Sequence, residues 1–371
     1  MSSLLIKHFR VKSPRYSNPV FTCLMILLGL LVIVAFSMHP ITDGDLSRYY
    51  AWSLDYAKQP PSLLFANTEY DQKFIIMLFW VAGKTGLLAL IPTMSILTVY
   101  AIAFWIICDS AKTLNIKNSI LVQYVILAVA LLQFDAIASN VRNVMAFAIV
   151  TLAAYRDLFK KKRNAITLLL YLLPCGLHLT AVVFILVRIS LPLYKRFRLL
   201  SIATILSAPL IISKLFLVRF LFVKIPFLYA LIDKAYRYFF IFYDTEWIEK
   251  VKDSGFESSK KLIFFLIFIV LLSLSVTTYH KVQKWNQEYM DLFAYTEISI
   301  LLTLVSMYIP VPTYFRFSIV TLMLFPIIFF YVIQHTHKKG GMILLIYAGY
   351  INITIYGFLA QVYHFYFNFR F

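Results

Sequence analysis

The sequence predicts an all-α fold, a polytopic transmembrane helical bundle of about eleven spans forming a single integral membrane domain over residues 1–371. Three observations predict it. The chain is 61% hydrophobic and only 14% charged, whereas a soluble chain carries about 25% charged residues. Long apolar stretches recur from residue 20 to residue 361, too often for one anchor on a soluble domain. The basic residues concentrate in short turns between those stretches. With 34 Phe and 25 Tyr against 10 Gly, disordered, collagen-like and linker-type chains are excluded.

The first span runs from about Pro19 to Met38, preceded by Lys7, Arg10, Lys12 and Arg15 with no acid. Its length and the lack of a small-x-small site argue against a cleaved signal, so the N-terminus is expected in the cytoplasm. The other spans are expected at 91–109, 119–134, 139–159, 164–177, 178–193, 199–218, 261–279, 291–309, 316–334 and 341–361. The pair 164–177 and 178–193 is short and is expected to turn at Pro174-Cys175-Gly176.

Net charge is +18, from 35 Lys/Arg and 17 Asp/Glu. In this arrangement 19 Lys/Arg and 5 acids fall inside, giving +14 there and +4 outside. That is the sign the positive-inside rule requires. Segment 73–90 is apolar enough to span but carries Lys73, Gly83 and Lys84. If it spanned, the turn Lys160 to Arg163 would move outside. It is therefore read as an amphipathic or re-entrant element on the outer face. The two substantial loops, 39–72 and 219–260, both face out, so chemistry is expected on that side. Cys23, Cys108 and Cys175 lie in apolar stretches and read as small buried hydrophobes.

The first outer loop carries "HPITDGDLSRYYAWSLDY". Asp43 and Asp45 form a DxD, a spacing that can offer two carboxylates to a cation. Arg48 follows at i+3 from Asp45, then Tyr49 and Tyr50. Arg142, flanked by Asn140 and Asn143, stands where "ASNVRNVMAFAIV" enters a span. A guanidinium there costs energy in the bilayer and suits phosphate oxygens. His178 in "LLPCGLHLTAVVF" lies at a Pro/Gly break, where an imidazole could act as base or phosphate donor. Arg316 and Tyr314 sit in "IPVPTYFRFSIV", at a second outer turn. In the large loop, "DKAYRYFFIFYDTEW" supplies Arg237 and Tyr238 among aromatics suited to sugar rings.

Other patterns fail on chemistry. Gly83-Lys84-Thr85 has Leu78 where a P-loop needs its first glycine. His335 and His337 have no carboxylate or thiol partner nearby in sequence for a metal. No HExxH or GxSxG occurs, and the basic turns lack the organisation of a nucleic-acid surface.

In order and spacing these motifs resemble the EpsG-type branch of the Wzy polysaccharide polymerases. The match consists of the Asp43/Asp45/Arg48/Tyr49/Tyr50 loop, Arg142 entering a span that ends in "FKKKRN", His178 in the next hairpin, and the late Arg316 of "TYFRFS". Family members often carry Q-x-x-R near the early arginine; here Asn140 and Asn143 stand in. The resemblance implies a GT-C-like fold in the bacterial inner membrane. It implies a glycosyltransferase joining undecaprenyl-diphosphate-linked repeat units at the periplasmic face. The partners implied are that lipid-linked glycan, the bilayer and a chain-length regulator, with no nucleic acid.

In such a reaction Arg142, Arg316 and Arg48 would hold the diphosphate, and Asp45 or His178 would take the acceptor proton. Asp43, Tyr49, Tyr50, Asn143, Arg237, Tyr238 and Tyr314 would contact substrate. Three arginines make a metal dispensable, and no cofactor is expected. A ligase using the same donor, a flippase or other transporter, and a membrane O-acyltransferase are the rival classes.

Overall fold

The computed structural model describes residues 18–40, 44–66, 73–210, 255–285, 289–307 and 313–335, with residues 229, 355, 358–359 and 369–370. Among these the architecture is all-helical, apart from a two-residue antiparallel pairing of His39–Pro40 with Phe369–Arg370. Nearly all of the predicted span at 341–361 and of the predicted loop at 219–260 lies outside the described residues, as do Asp43, Arg237 and Tyr238.

Helix α1 (Asn18–Phe36) leads to three shorter helices, α2 (Asp45–Ala57), α3 (Pro61–Ala66) and α4 (Lys73–Thr85). Then come α5 (Leu90–Thr113), α6 (Asn118–Leu131), α7 (Phe134–Ser139) and α8 (Val141–Ala154), the last continuing into a π-helical turn at Tyr155–Phe159. The chain goes on through α9 (Ala165–Leu177), a 3₁₀ turn at Leu179–Ala181, α10 (Val182–Arg196) and α11 (Arg198–Leu206). The final described helices are α12 (Gly255–Trp285), α13 (Met290–Ser306) and α14 (Thr313–His335).

Helix α8 is the hub, packed on α5, α9 and α14. Its Ala146, Ala148, Ala153 and Ala154 are fully buried, and small side chains let neighbouring backbones approach. Phe147 closes the contact with α10 and α14 through Phe184 and Phe317, at ring separations of 5.1 and 5.5 Å. Such tilted and edge-on pairs are favoured over face-to-face stacking.

The outward faces are also apolar. Phe21, Ile26, Leu30 and Ile33 of α1, Leu168, Leu169 and Leu172 of α9, and Leu186, Ile189 and Leu193 of α10 are each more than half exposed. A soluble monomer confines such patches to a few hundred Å². Among the described residues one helix, α5, is long and apolar enough to cross a membrane by length and composition. Shorter apolar helical stretches occur at Val20–Phe36, Asn118–Leu131, Ala165–Leu177, Lys261–Val276 and Tyr314–Ile328.

Several expected boundaries move. The stretch expected to span at 119–134 stops at Leu131, and α7 begins two residues beyond Leu132. The carbonyls freed by this break are taken by α5, the Tyr100 hydroxyl donating to Leu132 O and Ser95 to Ile137 O. That is the condition on which broken helices persist inside an apolar bundle. The turn expected at Pro174-Cys175-Gly176 falls instead at His178, whose backbone is extended at φ −158°. Helix α9 runs through Pro174 and ends three residues beyond it, although a proline removes one intrahelical donor. The segment expected to span at 199–218 is described to residue 210 and includes α11, nine residues with none buried; 211–218 lie outside the described residues.

The first loop is not open coil. Helix α2 packs along α4, which buries Ile75, Ile76, Phe79 and Ala82. The two helices meet at Gly83, where a Cβ would collide with the Ser53 carbonyl. The glycine of the incomplete P-loop pattern is thus required by close helix packing.

One end of the bundle is a knot of ion pairs. Asp109 accepts from Tyr155 at 2.6 Å and Lys160 at 2.9 Å. Asp157, on the π-helical turn, is held by Arg163 at 2.8 Å and by Arg188. Glu297, fully buried, accepts from Arg198 and from Tyr194 at 2.8 Å, and Arg198 lies 3.8 Å over the Tyr279 ring. These pairs tie α5, α8 to α11 and α13 together by charge-assisted hydrogen bonds.

Candidate functional site

The site lies at the other end of α8. Arg142 and Asp157 are 15 residues apart, which is about 22 Å along a helix. Two short helices converge there with the starts of α8 and α14. Helix α2 begins at Asp45 after Gly44, whose extended backbone forms the N-cap. A carboxylate in that first turn is favoured by the helix dipole.

Asp45 is held from both sides. Arg48, one turn along α2, pairs with its Oδ1, and Arg316 of α14 places Nη2 3.5 Å from its Oδ2. Arg316 also donates from Nε to the Asn140 side-chain oxygen at 2.9 Å. Asn140 is the joint between α7 and α8, and its amide nitrogen donates back to Ala136 O at 3.0 Å. One side chain therefore closes α7 and fixes the guanidinium of a residue 176 positions away.

Arg142 is positioned by aromatics. Its Nε donates to the Tyr49 hydroxyl at 3.3 Å, and its guanidinium lies 5.4 Å from the Tyr49 ring and 5.6 Å from the Trp52 ring. Tyr49 is buried and stacks on Phe79 of α4 at 5.1 Å. A cation over aromatic faces is attracted to the ring quadrupole, more strongly where water is excluded. The described part of the site thus holds three guanidinium groups and one carboxylate.

The residues expected to touch substrate divide in two. Tyr49, Asn143 and Tyr314 are 1%, 3% and 3% exposed, because helix phase turns them inward. Tyr314 packs edge-on against Phe264 of α12. These three support the site and do not line it. Tyr50 is half-buried and donates to Met38 O at 3.3 Å. Burial pushes its phenol up to about 12, so it stays a neutral donor. Asp45, Arg48, Arg142 and Arg316 are brought together. Two further members, Trp52 and the Arg316-binding role of Asn140, were not singled out in the sequence. Trp52 stands at i+3 from Tyr49 and i+7 from Asp45, so helical phase alone could have found it.

His178 caps the 3₁₀ turn: its Nδ1 accepts the Thr180 N–H at 3.2 Å. Nδ1 also contacts the Thr180 hydroxyl, so this nitrogen is engaged within its own turn and a role in the site falls to Nε2. Arg156 donates to Thr167 at 3.4 Å, which sets the register of α8 against α9. Counting along both helices from that bond places His178 near the level of Met145, roughly one turn below Arg142.

Comparison with known protein families, with curated proteins and with solved structures gives no match for this chain.

Proposed function

We propose that this chain is a multi-pass glycosyltransferase of the bacterial inner membrane. It joins undecaprenyl-diphosphate-linked oligosaccharide repeat units at the periplasmic face, as the likeness to EpsG-type Wzy polymerases suggests. The observation that carries the reading is the gathering of Arg142, Arg316 and Asp45 at one end of the bundle, with the acid-neutralised basic cluster at the other. Apolar outward faces and the recurring apolar helices support the membrane setting. Positive-inside charge assigns the ion-pair end to the cytoplasm and the arginine end to the periplasm.

The acceptor hydroxyl oxygen attacks the anomeric carbon of the donor's first sugar. The bond from that carbon to the diphosphate oxygen breaks, and its electron pair leaves with undecaprenyl diphosphate. Arg142 and Arg316 meet the charge that develops there, so they stabilise the transition state more than the ground state. The hydroxyl proton passes to the Asp45 carboxylate and later to water. His178, with its proton on Nε2, donates to the diphosphate.

Sidedness is tested by cysteine labelling in a variant lacking Cys23, Cys108 and Cys175. Lys58 of the α2 end and Lys162 of the basic turn are both exposed. An impermeant thiol reagent applied outside the inner membrane should label Lys58→Cys and reach Lys162→Cys only after lysis. The opposite pattern would put the arginine cluster on the cytoplasmic side and remove the proposed donor from reach.

A further inference from the structure

We infer that Asp45 is a stand-in anion: it pairs with the edge of Arg316 to which a phosphoryl group binds, and arrival of the diphosphate releases it to act as base. The inference rests on the diphosphate-binding reading of this site and adds its regulation.

The geometry separates a fixed contact from an exchangeable one. Arg316 is oriented by Asn140, a neutral acceptor at 2.9 Å, which is itself anchored to Ala136 O. A neutral amide fixes the guanidinium plane without cancelling its charge. The contact to Asp45 is longer, 3.5 Å, and it is made by a different edge of the fork, Nη2. An anion with better geometry can displace it without disturbing the Asn140 bond. A phosphoryl group offers three oxygens to a forked donor and makes short charge-assisted bonds.

Each Asp45 oxygen faces a guanidinium, Oδ1 that of Arg48 and Oδ2 that of Arg316. Two guanidinium groups favour the ionised carboxylate, which makes it a poorer acceptor for the proton of a sugar hydroxyl. Arg48 is 65% exposed and can follow either anion, whereas Arg316 is 17% exposed and is confined to the site. The cover over Oδ2 is therefore the one that ligand entry must remove. The base becomes available only when a leaving group is in place. While Asp45 stays paired with Arg316 it is the weaker base, so the donor must bind before the acceptor is activated.

The same arrangement means that Asp45 competes with the ligand and repels it. Removing the carboxylate should therefore improve anion binding, the reverse of what loss of a supporting residue would do. Replacing a charge-bearing competitor in a part-buried site should tighten binding about tenfold.

The test uses the purified full chain in detergent, with geranylgeranyl diphosphate as probe and calorimetry as readout. Asp45→Asn should bind the probe about tenfold more tightly than the native chain, and Arg316→Gln should bind it at least tenfold more weakly. In the double variant the gain from Asp45→Asn should vanish, because its effect runs through Arg316. Asp45→Ser, which keeps a good residue for the start of a helix, repeats the measurement if the Asn variant is not monodisperse. Equal or weaker binding by a folded Asp45 variant overturns the inference, as does a gain that persists without Arg316. Absence of probe binding in every variant overturns both the inference and the diphosphate reading. Tighter binding by Asp45→Asn in a chain that makes no polymer would leave the stand-in role intact and remove the polymerase function.

Discussion

Replacing Arg142 or Arg316 by alanine should abolish long polymer while leaving the protein in the membrane at near-normal level. Each guanidinium is aimed at charge that appears only as the diphosphate departs. Removing one preorganised donor of that kind typically costs about 10²–10³ in rate. Both arginines sit at helix starts near the bundle end, held by polar and aromatic neighbours, so their loss opens no large cavity in the core. Lysine should rescue poorly at both positions. At Arg316 the native side chain uses Nε for Asn140 and Nη2 for the anion position, and a single ammonium cannot do both. At Arg142 the flat guanidinium lies over Tyr49 and Trp52, which an ammonium covers less well. A glycan gel with normal ladders in both alanine variants would refute the assignment. Loss of the protein from the membrane would instead make the arginines structural.

The second large effect separates Asp45 from His178. Asp45→Asn should cut turnover by about 10²–10⁴-fold, the usual worth of general-base assistance, while the donor stays bound. His178→Gln should be milder, because glutamine keeps a hydrogen-bond donor and His178 acts through its Nε2 proton. The capping bond from Thr180 N–H ties His178 Nδ1 to its own turn, whereas Asp45 lies against Arg316 in the site, which favours Asp45 as the base. Purified variants assayed with lipid-linked repeat unit would distinguish them. A severe loss in His178→Gln beside a mild one in Asp45→Asn would exchange the two roles.

The helical character was written in the apolar recurrence, and the charged end in the clustering of Lys160 to Arg163 with Lys195 to Arg198. Tertiary pairing was not, because it joins distant residues. Nothing local tells that Asn140 will hold Arg316, or that Tyr49 will seat Arg142. The sequence pointed to Asn143 as the substrate amide; helix phase buries Asn143 and leaves Asn140 at the joint. The face made by Asp45, Tyr49 and Trp52 is legible in their i, i+4, i+7 spacing, although the polar and Pro-containing segment 39–72 otherwise reads as an outer loop. Pro174 and Gly176 drew the expected turn to themselves because they are the strongest local breakers. The actual break at His178 comes from its own extended backbone and side-chain cap, which composition does not signal.

Direct reconstitution tests the central claim. The purified chain is placed in liposomes with a chemically defined undecaprenyl-diphosphate-linked repeat unit and no other protein, and products are resolved by size. The account predicts a ladder whose rungs differ by one repeat unit, with one undecaprenyl diphosphate released for each bond formed. Donor that stays monomeric, or that is moved across the bilayer unchanged, would contradict it.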